Sequence, residues 1–284
     1  MAFNSWPAWL SRISGRSVYN LALGGWGPIQ YEYLLRNRAL QLKPSVVILG
    51  LYFGNDIFDA YRVVYGLDFW RDLRIPEHVD LISPYVSVER PNRAGPFRRM
   101  RIWLSQNSVL YRLVVSAFGN ILGPLDMRIR GVGGEISILD DEDLHTAFTP
   151  LMRLGAVDLE RPEVREGLRL TLESLERVIL LCEREKVKLV VLLIPTKESV
   201  FAERLVGRSE IANADSITAL LEAEDNLRNQ LREYLEERNV IVVDPRESLR
   251  RAAKHEPIYP SNEGGHPVSA GYRAIAETLA PWVR

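Results

Sequence analysis

The sequence predicts a doubly wound α/β fold, a parallel sheet with helices on both faces. Three observations lead there. Uninterrupted apolar runs rich in β-branched residues recur at residues 45–52 (SVVILGLY), 187–194 (VKLVVLLI) and 240–243 (VIVV). Runs of this kind mark strands covered on both sides. Amphipathic stretches separate them, and each strand is followed by a turn rich in Gly, Asn or Asp.

Residues 17–23 (SVYNLAL) read as a first strand, closed by Gly24-Gly25-Trp26-Gly27. A helix over 28–42 follows, with Pro28 suited to its first turn. The strand at 45–52 ends at Phe53-Gly54-Asn55-Asp56. Residues 57–161 then break the rhythm and read as an insertion with its own short helices, one of them over 99–119. Its aromatic start, Tyr61 to Trp70, emerges beside Asn55, either as packing or as a lid. The helix over 163–185 carries Leu168, Leu172, Leu175, Ile179 and Cys182 on one face. The helix over 215–238 carries Ile217, Leu220, Leu227, Leu231 and Leu235. A last helix over 269–282 has Ser269 as a cap and Tyr272, Ile275, Ala276 and Leu279 as its inner stripe. The whole reads as one domain over 1–284, with 57–161 inserted.

Composition narrows the function. Of 284 residues, 46% are apolar, enough for a sizeable core, and Lys+Arg 36 against Asp+Glu 37 leaves a net charge of −1. That balance gives no field for nucleic acid. Cys182 is the single cysteine, which excludes an internal disulfide and a multi-cysteine zinc site. His78, His145 and His255 have no metal-ligand spacing, and no cofactor is expected. The acidic run Asp140 to Asp143 and the basic spots Arg98-Arg99-Met100-Arg101 and Arg128-Ile129-Arg130 read as solvated surface. No apolar stretch reaches the ~20 residues of a membrane span, and residues 1–7 do not read as a signal peptide. Taken literally the chain is cytoplasmic; an incomplete N-terminus would allow export or anchoring.

Ligands of open α/β sheets bind beyond the carboxyl ends of the strands. The turns there supply the Gly25 N–H, the Asn55 amide and, near the C-terminus, Glu263-Gly264-Gly265-His266-Pro267. Each alone is ordinary: a tight turn, a helix cap, a structural histidine. Together they suit acyl transfer. Gly25 and Asn55 are candidate donors to an oxyanion, each worth ~3–4 kcal/mol if aimed at it. His266 is a candidate general base and Glu263 its orienting carboxylate.

Four stretches, Trp6-Pro7-Ala8-Trp9-Leu10, residues 18–25 (VYNLALGG), residues 51–56 (LYFGND) and residues 263–267 (EGGHP), resemble the SGNH hydrolases, also called GDSL lipases and esterases. The resemblance covers about 1–56 and 170–284. It implies a flavodoxin-like three-layer sheet and hydrolysis of carboxylic or O-acetyl esters, with a small-molecule or polysaccharide ester as substrate. By matching position it makes Gly25 and Asn55 oxyanion donors and His266 the base. The family places Asp where Glu263 stands. Ile194-Pro195-Thr196-Lys197-Glu198 is similar to relatives that handle polysaccharide O-acetyl groups. The family's nucleophile is a serine in a Gly-Asp-Ser segment after the first strand, upstream of a Trp-Pro stretch like Trp6-Pro7. No Gly-Asp-Ser occurs here, and Ser5, Ser11, Ser14 and Ser17 lack the strand-then-turn setting of a nucleophile. The resemblance thus implies a missing first strand, and a chain that is a poor esterase as it stands. O-acetyl transfer and ligand binding without chemistry are the alternatives.

Overall fold

The computed structural model describes residues 4–77 and 136–283; the helix expected over 99–119, His78 and both basic spots lie outside them. The strands described are β1 (Val46–Tyr52), β2 (Ser137–Asp140), β3 (His145–Phe148), β4 (Lys188–Ile194) and β5 (Ile241–Val243). β1, β4 and β5 form a parallel sheet in the order β1-β4-β5, with Val46 opposite Lys188, Tyr52 opposite Ile194 and Val190 opposite Ile241. β2 and β3 form a separate antiparallel hairpin. The α-helices among the described residues are α1 (Trp6–Ser14), α2 (Pro28–Leu34), α3 (Asp56–Gly66), α4 (Pro150–Val157) and α5 (Pro162–Arg184), then α6 (Lys197–Val200), α7 (Ala202–Leu205), α8 (Ala214–Glu236), α9 (Arg246–Ala253) and α10 (Ser269–Leu279). The chain is therefore α/β, with helices packed on a parallel sheet.

The period-2 alternation of β4 divides the core. Val190 and Leu192 pack with Leu10 of α1, Leu249 of α9 and Ile275 and Leu279 of α10. Leu189, Val191 and Leu193 pack with Leu175, Val178, Ile179 and Cys182 of α5 and Leu220, Leu227 and Leu231 of α8. Each such side chain contributes about 1.5–3 kcal/mol by leaving water. The expected stripes of α5 and α8 are those that face inward. Cys182 is buried, and burial raises its thiol pKa to about 11.

Among the described residues β1 is an edge strand. It pairs with β4 on one side only, and Val46, Val47 and Ile48 stay half-buried, whereas Leu189 to Leu193 of β4 are all buried.

Residues 17–23 correct the sequence reading. They form no strand, and Tyr19 and Leu23 are 70% and 51% exposed. Without a ladder partner, their polar side chains serve the local backbone instead: the Ala22 N–H donates to Asn20 Oδ1 at 3.0 Å. Ser269 is a smaller correction. It is the first residue of α10 rather than its cap, and its hydroxyl accepts from Trp9 Nε1 at 3.3 Å, which ties α10 to α1.

The helix expected over 28–42 is helical throughout, but α2 passes into a π-turn at Leu35–Ala39 and a 3₁₀ turn at Leu40–Leu42. The described ends of 57–161 are built into the body. Ile57, Ala60, Tyr61 and Val64 of α3 are buried, Tyr61 stacks on Tyr65 at 4.8 Å, and Phe148 of β3 shares a core with Val190. Tyr61 and Tyr65 at the start of that region are therefore packing, while Leu67 and Phe69 are exposed. At the hairpin turn, Asp141 and Asp143 pair with Arg208 and Arg204. Among the described residues no helix is long and apolar enough to cross a membrane, and no His/Cys/Asp/Glu group is arranged to hold a metal ion.

Candidate active site

The candidate residues gather beyond the carboxyl end of β1. The ladder runs one residue past the strand, with Phe53 N donating to Ile194 O at 3.1 Å. The chain then turns through Gly54-Asn55 into α3. Asp56, the first residue of α3, is buried, and its Oδ2 accepts from Tyr52 N at 3.0 Å and contacts Tyr31 Oη at 3.1 Å. Burial raises the Asp56 pKa to about 7, the two hydrogen bonds partly offsetting it. Asn55 donates through its side-chain amide to Asp59, one turn further along α3. The amide is thus anchored from below, with a second N–H proton still to give.

The glycine turn lies against the same helix end. Gly27 is buried, and a Cβ there would meet Asp59 Cβ at 3.4 Å. Tyr31 Oη also lies 2.8 Å from Trp26 O, so this tyrosine bridges the glycine turn and Asp56. Gly25 sits at the exposed tip with φ +80°, a left-handed conformation that favours glycine.

The His266 loop reaches this end from the far side of the sequence. Tyr52 Oη donates to Gly265 O at 3.2 Å, and the Tyr52 and His266 rings lie 5.3 Å apart at 37°. Gly265 has no room for a side chain: a Cβ would fall 2.5 Å from both Arg153 Nη2 and Tyr52 Oη. The outer side of His266 is exposed. Its pKa is held below the usual histidine value by desolvation against the loop, then by the positive charge of Arg153. Such an imidazole is neutral, and able to accept a proton, at neutral pH.

Two cations brace this region: Lys197, which lies in the 194–198 stretch already singled out though without a role, and Arg153, which the sequence did not mark. Arg153 of α4 donates from Nη1 to Gly54 O at 3.0 Å, with its guanidinium 5.5 Å from the Tyr52 ring centre. Lys197 of α6 is buried and donates to Ala147 O at 3.1 Å, Pro260 O at 3.0 Å and Asn262 O at 2.7 Å. Burial lowers the Lys197 pKa to about 8, and the charges of Glu198 and Glu263 oppose that shift. Glu263 is half-buried on the same loop as His266, close enough for Lys197 to feel its charge. For Lys197 the signal was the 194–198 stretch itself, which leads from a buried strand into a short helix. Arg153 had none, because its neighbours come from distant parts of the chain.

Asn55 and His266 are thus brought to one end of the sheet, Gly25 lies on the adjoining turn, and Glu263 lies on the His266 loop. No family model, curated protein or solved structure matches the chain.

Proposed function

We propose that this end of the sheet is the oxyanion-and-base half of an SGNH-type ester hydrolase, acting on carboxylic or O-acetyl esters through an acyl-enzyme. The observation that carries the reading is the meeting of the Asn55 turn and the His266 loop, bridged by Tyr52 and Arg153. In it, His266 takes the proton of a serine hydroxyl as that oxygen attacks the ester carbonyl. The negative charge that develops on the carbonyl oxygen is met by the free N–H of the Asn55 amide and by the Gly25 N–H. Glu263 orients the imidazole and balances the imidazolium.

The serine itself, on this reading, sits in the turn after a strand laid along the outer edge of β1. The one-sided pairing of β1 and the unladdered, exposed run at 17–23 favour such a strand. A flavodoxin-like sheet would then be complete. The stretch at 194–198 belongs to the same site through Lys197, which supports a second reading: the acyl acceptor is a sugar hydroxyl of a polysaccharide in place of water.

The test is hydrolysis of p-nitrophenyl acetate. We expect negligible turnover by residues 1–284, since loss of a triad serine costs ~10⁶ in rate. A chain extended by a Gly-Asp-Ser strand should turn the ester over, and His266→Ala should remove that activity. Equal rates for the extended protein and its His266→Ala variant would end the reading. Acetyl transfer to an oligosaccharide, assayed beside hydrolysis, separates the two acceptors.

A further inference from the structure

Arg153 stands apart from most arginines near it in having no carboxylate partner. Among the described residues it forms no ion pair, and its Nε is buried without a hydrogen-bond partner. A guanidinium kept half-buried without a counter-charge is unfavourable by itself, so its contacts indicate what holds it there. One face lies along the Tyr52 ring, Nη1 donates to the carbonyl of Gly54, and Nη2 packs against Gly265. Gly54 immediately precedes Asn55, and Gly265 immediately precedes His266. The two turns come from positions more than 200 residues apart, and Tyr52 also links them, through Tyr52 Oη to Gly265 O and its ring beside His266.

We propose that Arg153 is a positioning residue: its guanidinium sets the distance between the Asn55 amide and the His266 ring. The inference rests on the ester-hydrolase reading for its purpose, though not for its geometry. The planar group is suited to this. It reaches a carbonyl with one nitrogen, packs against a glycine with the second and lies along an aromatic ring, which a lysine ammonium does not do together. Its charge opposes protonation of His266. Among the described residues the other ionisable groups around the loop include Tyr52 from β1, Lys197 and Glu198 from α6, and Tyr259 and Glu263 on the loop itself; burial keeps Tyr259 neutral. Tyr52 is kept neutral by burial. Lys197 points its ammonium at Pro260 and Asn262, earlier in the loop, and Glu198 accepts from Thr149 N at 2.9 Å. Arg153 is the cation that reaches the His266 end.

Arg153→Gln and Arg153→Lys in the full chain test this, with the His266 ring titrated by NMR. Arg153→Gln removes the charge and should move the His266 midpoint upward and shift the Asn55 side-chain amide resonances. Arg153→Lys keeps a charge, so the midpoint should stay nearer the wild-type value while the Asn55 resonances still move. If Arg153→Gln does not fold, Arg153→Lys decides through the Asn55 shifts alone. A folded Arg153→Gln protein with the wild-type His266 midpoint and unmoved Asn55 resonances overturns the proposal. In the extended, active protein Arg153→Gln should lower kcat with little change in KM. Movement of the resonances together with an extended protein that still hydrolyses no ester would sustain the positioning role and defeat the hydrolase reading. Ester turnover with unmoved resonances would do the reverse.

Discussion

Glu224 and Arg228 are among the most deeply buried charges described, and their burial has a measurable consequence. Glu224 accepts from Thr196 N at 3.3 Å and from Thr196 Oγ1 at 2.5 Å, and it pairs with Arg228. Arg228 also donates to Asp244 Oδ2 at 3.1 Å and lies 4.4 Å from the Phe53 ring centre. The network ties together the carboxyl ends of all three parallel strands. Arg228→Met strands the Glu224 charge and should lower unfolding stability by about 3–5 kcal/mol. Adding Glu224→Gln should recover much of the loss, which urea denaturation of both variants checks. Asp56 makes a prediction in pH. Its carboxyl titrates near 3.8 when unfolded and at about 7 when folded, so the native state keeps a proton that the unfolded chain releases. Its contribution is intact below about pH 4, is lost as pH rises through 7, and stays unfavourable above. The stability of Asp56→Asn relative to wild type should therefore increase between pH 5 and pH 8, and a constant difference would refute the assignment. Asn55 and His266 were legible because short turns mark them in the sequence. The environments of Asp56, Arg153 and Lys197 were not, since each depends on partners supplied by other parts of the chain.

At the scale of elements, the strands with long apolar runs were legible to within a residue or two. Their pattern is local, and burial on both faces leaves it little ambiguity. The run at 17–23 carried a similar signal but forms no strand, because a strand is defined by its neighbour and the described residues offer it none. Ser269 was misread for a related reason: its hydroxyl serves Trp9 across the helix interface and caps nothing. The one-sided pairing of β1 gives a direct prediction. With Lys188 N donating to Ser45 O and Phe53 N to Ile194 O, the parallel ladder directs the odd-numbered amides of β1 toward β4. The amides of Ile48 and Gly50 then face away. They should exchange hydrogen much faster than those of Val47, Leu49 and Leu51, which proteolysis and mass spectrometry of a deuterium-labelled sample resolve. Uniform protection along β1 would mean that its outer edge is already covered.

For the molecule as a whole, the fold class was predictable and the extent of the sheet was not. Alternating strands and amphipathic helices specify a two-faced core, and that core is present in two clusters divided by β4. How many strands complete a sheet is set by what lies beside its margins, which no periodicity encodes. The margin of β1 has one more consequence. Among the described residues the outward amides and carbonyls of β1 have no strand partner; a row of such groups on an apolar segment attracts other extended chains, and nothing in Val46-Val47-Ile48-Leu49-Gly50 carries the charge or proline that discourages this. Handling the protein at high concentration therefore invites self-association through this segment, two copies zipping together side by side. A lysine at position 48 would act as a gatekeeper against it.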